Sequence, residues 1–145
     1  MLKLPEGIIK CWFNQLNAGE PVTPSQFDQI YKNFPFIQPQ LFERCQLLMR
    51  DKIYFKLFKH YVNVFDDATI NSEQKMLFNI LDEFETGIVS KDRFKLFLNS
   101  QGINSEEISR STHSIFDYYK HNDEFEFADL DIIKEQINWR NEQTS

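Results

Sequence analysis

The sequence predicts an all-α protein of two lobes, each a pair of helix–loop–helix units, and three observations predict it. The first is a spaced echo. Val22, Ile53, Val89 and Phe125 each stand five positions before another large apolar residue, the followers being Phe27, Phe58, Phe94 and Leu130. Successive echoes lie 31, 36 and 36 residues apart, the period of a supersecondary unit that cannot bury its apolar face alone. The second is apolar residues at helical spacing on both sides of each echo. The third is composition: 15 Phe and only 4 Gly in 145 residues suit helices joined by short loops, in a chain long enough for a sizeable core.

The elements follow in order. A first helix spans 5–16, with Ile8, Ile9, Trp12, Phe13 and Leu16 as its stripe and Pro5 in its first turn. Residues 17–21 break it. Thr23 then caps a second helix with Pro24 at its first position, running over 25–33. Pro35 and Pro39 bracket a connector that cannot be regular helix. A third helix covers 40–50 through Leu41, Phe42, Cys45, Leu48 and Met49, and a fourth covers 54–65. Residues 66–71 are poor in helix formers, and Ser72 with Glu73 starts the next helix, whose inner face is Met76, Leu77, Ile80 and Leu81. Ser90 caps a helix carrying Phe94, Phe97 and Leu98, which Gly102 stops. A last unit begins at Ser105, continues through Ile108, Ile115 and Phe116, turns at 121–123 and exits through Leu130, Ile133 and Ile137. The expected division is an N-terminal lobe over 1–66, a hinge over 67–72 and a C-terminal lobe over 73–145.

The run Asp82-Glu83-Phe84-Glu85-Thr86-Gly87-Ile88-Val89-Ser90-Lys91-Asp92-Arg93-Phe94 puts a glycine where an EF-hand loop turns sharply. It also puts an apolar residue at the eighth position and another at the thirteenth. On these residues and the four echoes, the chain resembles the calmodulin and myosin-light-chain family of EF-hand proteins over nearly its whole length. The resemblance implies two lobes of paired EF-hand-like units, with antiparallel β-bridges between Val22 and Ile53 and between Val89 and Phe125. It implies a core and partner groove built from Phe27, Phe58, Leu77, Leu81, Phe94, Phe97, Leu98, Phe116, Leu130 and Ile133. Glu83, Glu85, Glu124 and Asp131 would form an acidic rim.

The same register argues against calcium. The ion takes six to eight oxygens from loop positions one, three, five, seven and nine and a bidentate acid at twelve. Counting back from Ile53, the second loop offers Gln46, Leu48, Arg50 and, at twelve, Leu57. The first loop is short and ends on Gln26. In the third, Phe84 stands at three and Arg93 replaces the bidentate acid, where its charge would repel the ion. The fourth is the most acidic, with Glu126 and Asp129 as weak candidates, but Lys120 stands at three. No metal or other cofactor is expected.

Charge narrows the partner. Of the net −6, residues 1–71 carry 8 basic and 7 acidic side chains, and residues 72–145 carry 8 basic and 15 acidic. Such a second half disfavours nucleic acid and favours a basic helix. His60, His113 and His121 lie in different units without a nucleophile or carboxylate at catalytic spacing, and the glycines form no phosphate cradle. The expectation is no enzyme. Cys11 and Cys45 read as buried free thiols, and no secretory signal or membrane span is visible. The function expected is a calcium-independent light-chain-like subunit, cytoplasmic and cytoskeleton-associated. It would clamp an amphipathic, basic helix of a larger cytoskeletal or motor protein. A weak calcium or magnesium sensor through the fourth loop, or a structural subunit of a ciliary or other assembly, is the alternative. Three methionines against 15 Phe suit one dedicated partner better than many.

Overall fold

A computed structural model describes residues 4–104 and 123–135. Most of the described residues are helical, in the order α1 (Glu6–Asn17), α2 (Pro24–Phe27) with a 3-10 continuation (Asp28–Asn33), α3 (Pro39–Leu48), α4 (Phe55–Asp66), α5 (Glu73–Leu81), β1 (Ile88–Ser90), α6 (Lys91–Ser100) and β2 (Glu124–Glu126). Residues 129–135 are again helical. The chain forms two compact units, Met1–Glu83 and Phe84–Ser145. Phe116 lies outside the described residues, as do the expected start at Ser105 and the stripe of Ile108 and Ile115.

Local chemistry sets the starts and stops. Thr23 and Gln26 form a reciprocal capping box at the start of α2, with Gln26 N–H donating to Thr23 Oγ1 at 3.2 Å and Thr23 N–H donating to Gln26 Oε1 at 3.0 Å. The next turns tighten to 3-10 geometry before Pro35, so the helix expected over 25–33 is α-helical only through Phe27. Ser72 and Ser90 cap α5 and α6 by accepting from Lys75 N–H and Arg93 N–H. At the end of α6, Gly102 adopts φ +81° while Gly102 N–H reaches Asn99 O and Ile103 N–H reaches Leu98 O. That pair of bonds is the Schellman stop, which needs a left-handed residue at that position.

The core of the first unit is aromatic. Phe27, fully buried, lies 5.3 Å from Phe58, 5.9 Å from Phe65, and 6.1 Å from Phe42 and Tyr61, centroid to centroid. Phe13 closes on Phe58 at 5.3 Å, bringing α1 onto α4. Edge-on and tilted ring pairs of this kind add stabilisation beyond the area they bury.

The expected division at 67–72 is not where the compact units part. α5 packs against α3 and α4, and His60 Nε2 lies 2.7 Å from Asn79 O between α4 and α5. The reason is burial: Met76, Leu77, Phe78, Ile80 and Leu81 are all buried, and a nine-residue helix with that much apolar surface must be covered. The first unit therefore extends through Glu83. The thiols also differ from expectation. Cys45 is buried on α3, but Cys11 is exposed on α1, because it stands off the Ile9–Phe13 face that α1 buries. No helix among the described residues is long and apolar enough to cross a membrane.

Candidate functional site

Two places in the described structure are built for more than core packing: the paired loops and a groove on the first unit.

In the first unit the loops are residues 18–23 and 49–54, each six residues long. Val22 N–H donates to Ile53 O at 3.0 Å, and Ile53 N–H donates to Val22 O at 2.8 Å, a two-bond antiparallel bridge with both side chains fully buried. Ala18 (φ 52°) and Gly19 (φ 83°) turn the first loop away from α1. Side-chain amides hold the rest: Asn17 donates to Pro21 O at 2.8 Å, and Gln46 donates to Pro24 O at 2.8 Å. Gln46, counted from the sequence as the first position of the second loop, is thus within α3 and turned onto its neighbour. Arg50 N–H closes the second loop on Tyr61 Oη at 3.2 Å.

Residues 82–90 form a longer connection, which leaves the end of α5 in the first unit and ends in β1 of the second. Glu85 (φ 55°) and Gly87 (φ 83°) make its turn, and Thr86 Oγ1 lies 3.4 Å from Ile88 N and 3.2 Å from Ile88 O. β1 pairs antiparallel with β2, with Ile88 opposite Glu126, Val89 opposite Phe125, and Ser90 opposite Glu124. Phe125 then stacks on Phe94 at 4.7 Å and 18°. Asp129 is buried, and its carboxylate accepts from Glu126 N–H at 2.8 Å. This repeats the backbone half of the Thr23–Gln26 box, so the weak metal candidate at Asp129 acts as a helix-capping acceptor. Glu126 is exposed on β2. Among the described residues, no three of His, Cys, Asp and Glu converge as a metal ion requires.

Compared with protein-family models, curated proteins and solved structures, the chain matches none. Its function is therefore argued from its own geometry.

The structure brings together Val22 with Ile53 and Val89 with Phe125. It does not leave the expected groove residues open. Phe27, Phe58, Leu77, Phe94, Phe97 and Leu98 have no exposed surface, and Leu81, Leu130 and Ile133 have 1% each. They are core because loop pairing closes the helices over them. The expected acidic rim is also uneven. Glu85, Glu124 and Asp131 are exposed, but the Glu83 side chain is largely covered and bonded to Arg50 Nε at 2.5 Å.

A different concavity exists on the first unit. A groove of about 570 Å³ runs between the connector after the 3-10 turn and the end of α4 with the start of α5. Leu41, Phe65, Ile70 and Met76 line it, together with Phe36 and Ile37 from the connector, and Asp66, Asp67 and Glu73 stand around it. Phe36 is 96% exposed. Periodicity could not find it, since the segment belongs to no helix; the signal was an aromatic residue held between two prolines.

Proposed function

We propose that this chain is a calcium-independent, calmodulin- and light-chain-like subunit of paired EF-hand-like units, and that it holds an amphipathic, basic helix of a larger protein. The observation carrying this reading is how the first unit closes its loops. Two six-residue connections, 18–23 and 49–54, are joined by the Val22–Ile53 bridge, with Asn17 tied to the backbone of the first and Gln46 to the start of α2 that follows it. A loop that wraps a calcium ion needs twelve residues, three of them in the exiting helix. The short loops leave no room for the chelating arm, and protein groups supply the closure that an ion would otherwise provide. In the second unit, Arg93 in place of the bidentate acid and the capping role of Asp129 point the same way. That the larger protein is cytoskeletal or a motor follows from the light-chain resemblance alone.

Calorimetric titration of the full chain with a synthetic Leu/Lys amphipathic helix tests the reading, run once in calcium and once in chelator. Equal affinity in both supports it. Binding that requires calcium overturns it in favour of the sensor. A structural subunit with several neighbours is a second reading, favoured by exposed apolar side chains on separate elements: Leu47 at 80% on α3, Tyr54 at 61% before α4 and Phe84 at 79%.

A further inference from the structure

We propose that the groove beside Phe36 seats the anchors of the partner: two or three apolar side chains of one amphipathic helix, with Lys or Arg beside them. This rests on the reading above and moves the contact from the closed cores to the outer face of the first unit.

Three features of the groove support that occupant. Its floor is apolar and already shaped, since Ile37, Phe65 and Met76 are buried at 8%, 6% and 6% exposure. Its lip is an aromatic ring presented to solvent by an ordered turn. Phe34 N–H bonds to Tyr31 O at 2.9 Å and Ile37 N–H to Phe34 O at 3.2 Å, while the Tyr31 hydroxyl donates to Ile37 O. Phe34 is wedged between Trp12 at 6.2 Å and Phe65 at 5.4 Å. The far wall is also ordered: Asp67 Oδ1 accepts from Thr69 N–H at 2.9 Å, and Ile70 N–H reaches Asp67 O at 3.2 Å. Little conformational entropy is lost when a ligand enters such a site. Its volume falls in the range of sites that bind organic groups.

Charge chooses the partner. The lining includes Asp66, Asp67 and Glu73 and no Lys, Arg or His. Asp66 accepts one bond from Leu4 N–H at 3.1 Å, and Glu73 lies 3.3 Å from Arg44 across an exposed pair. With Arg44 counted, the rim still carries a formal surplus of two negative charges. A helix with Lys or Arg beside its apolar stripe gains there, whereas one with Glu or Asp is repelled.

Fluorescence anisotropy of a labelled Leu/Lys amphipathic helix on the full chain tests this, with a Leu/Glu helix as the counterpart. Phe36→Ser removes an exposed ring and should leave the circular dichroism unchanged while weakening binding by about tenfold or more. Asp67→Lys with Glu73→Lys should weaken binding and flatten its salt dependence. Leu47→Ser, an equally open apolar site outside the groove, should change nothing. Hydrogen exchange with the helix bound should protect 33–41 and 65–76. Full binding by Phe36→Ser, with protection elsewhere, overturns the groove and leaves the light-chain-like reading standing. Equal binding of the Leu/Glu helix overturns the charge argument and the groove with it. Binding of neither helix overturns both readings. A Phe36→Ser effect confined to self-association would make the occupant a second copy and overturn the proposal.

Discussion

The first unit joins its bridged helices through two connections of equal length, 18–23 and 49–54, whereas the ladder of the second is entered through the longer 82–90, which starts at the end of the first unit's α5. Yet the bridging residue keeps one place in all three: Val22, Ile53 and Val89 each stand two residues before the helix that follows, which starts at Pro24, Phe55 and Lys91. The difference separates two parts of the same motif. The bridge and the helix after it are what the lobe needs to close. The arm before the turn is not, and the first unit lacks it. In its place stand an aromatic core and amide ties from Asn17 to the loop and from Gln46 to the start of α2, while the second unit retains Gly87 at φ 83° and a three-residue ladder.

The largest effects should come from the rings that close each unit. Phe27→Ala and Phe94→Ala should each cost about 3–5 kcal/mol, read by denaturant unfolding with hydrogen exchange resolved along the chain. Phe27 touches four rings and Phe94 stacks on Phe125, so protection should fall in the unit that holds the substitution. A loss below about 1 kcal/mol at Phe27 would mean that the aromatic cluster is not what lets the first unit close on short loops.

Alkaline pH should next distinguish the units through Cys45. Burial in the first unit pushes its thiol up to about 12, with Arg44 opposing the shift weakly. Folding favours the neutral thiol, so this contribution is intact below the unfolded value near 9. It declines as pH rises toward about 12. In that window the wild type should lose stability relative to Cys45→Ala, with a slope approaching about 1.4 kcal/mol per pH unit. Parallel pH profiles would show that the thiol is not held neutral.

Much of this arrangement was legible in the sequence because its constraints are local. A bridge residue must be apolar to enter the core, and the exiting helix must present its next apolar face a fixed distance later, so the echo from Val22 to Leu130 located the paired loops. Thr23, Ser72, Ser90 and Gly102 announced helix ends through their own hydrogen-bonding and backbone chemistry. What stayed hidden depends on tertiary packing. α3 stops at Leu48, short of the helix expected over 40–50, because Met49 turns into extended backbone toward the Val22–Ile53 bridge. α5 joins the first unit because its apolar circumference needs both α3 and α4. The described residues expected to serve as both core and groove are core, for the same reason. The open groove is made by Phe36 and Ile37, in a segment without periodicity.

Helix caps should matter less, in both units. Thr23→Ala removes the side-chain half of one box, and Asp129→Ala removes the acceptor for Glu126 N–H in the other. Each should cost about 1–2 kcal/mol. The buried Asp129 belongs at the upper end, since its loss strands a partly buried amide. Asp129→Asn keeps an acceptor and should recover most of the loss if the residue is a cap.

Calcium should have the smallest effect and gives the sharpest test of the loop comparison. The wild type should show no calcium-dependent change in melting temperature, helicity or exposed apolar surface, and a micromolar calorimetric site would break the reading. The two kinds of loop should then respond differently to repair. In 82–93, Asp82, Thr86, the Ile88 carbonyl and Ser90 already occupy positions one, five, seven and nine, so Phe84→Asp with Arg93→Glu restores positions three and twelve. That variant should bind calcium with Kd of about 10⁻⁴ to 10⁻³ M. At five times Kd, binding should stabilise the second unit by about 1 kcal/mol. The same exchange of side chains in 18–26 or 49–57 should yield nothing, because substitution adds oxygens but not backbone. If a short loop could be converted as readily as the long one, loop length would not be what makes the first unit independent of metal.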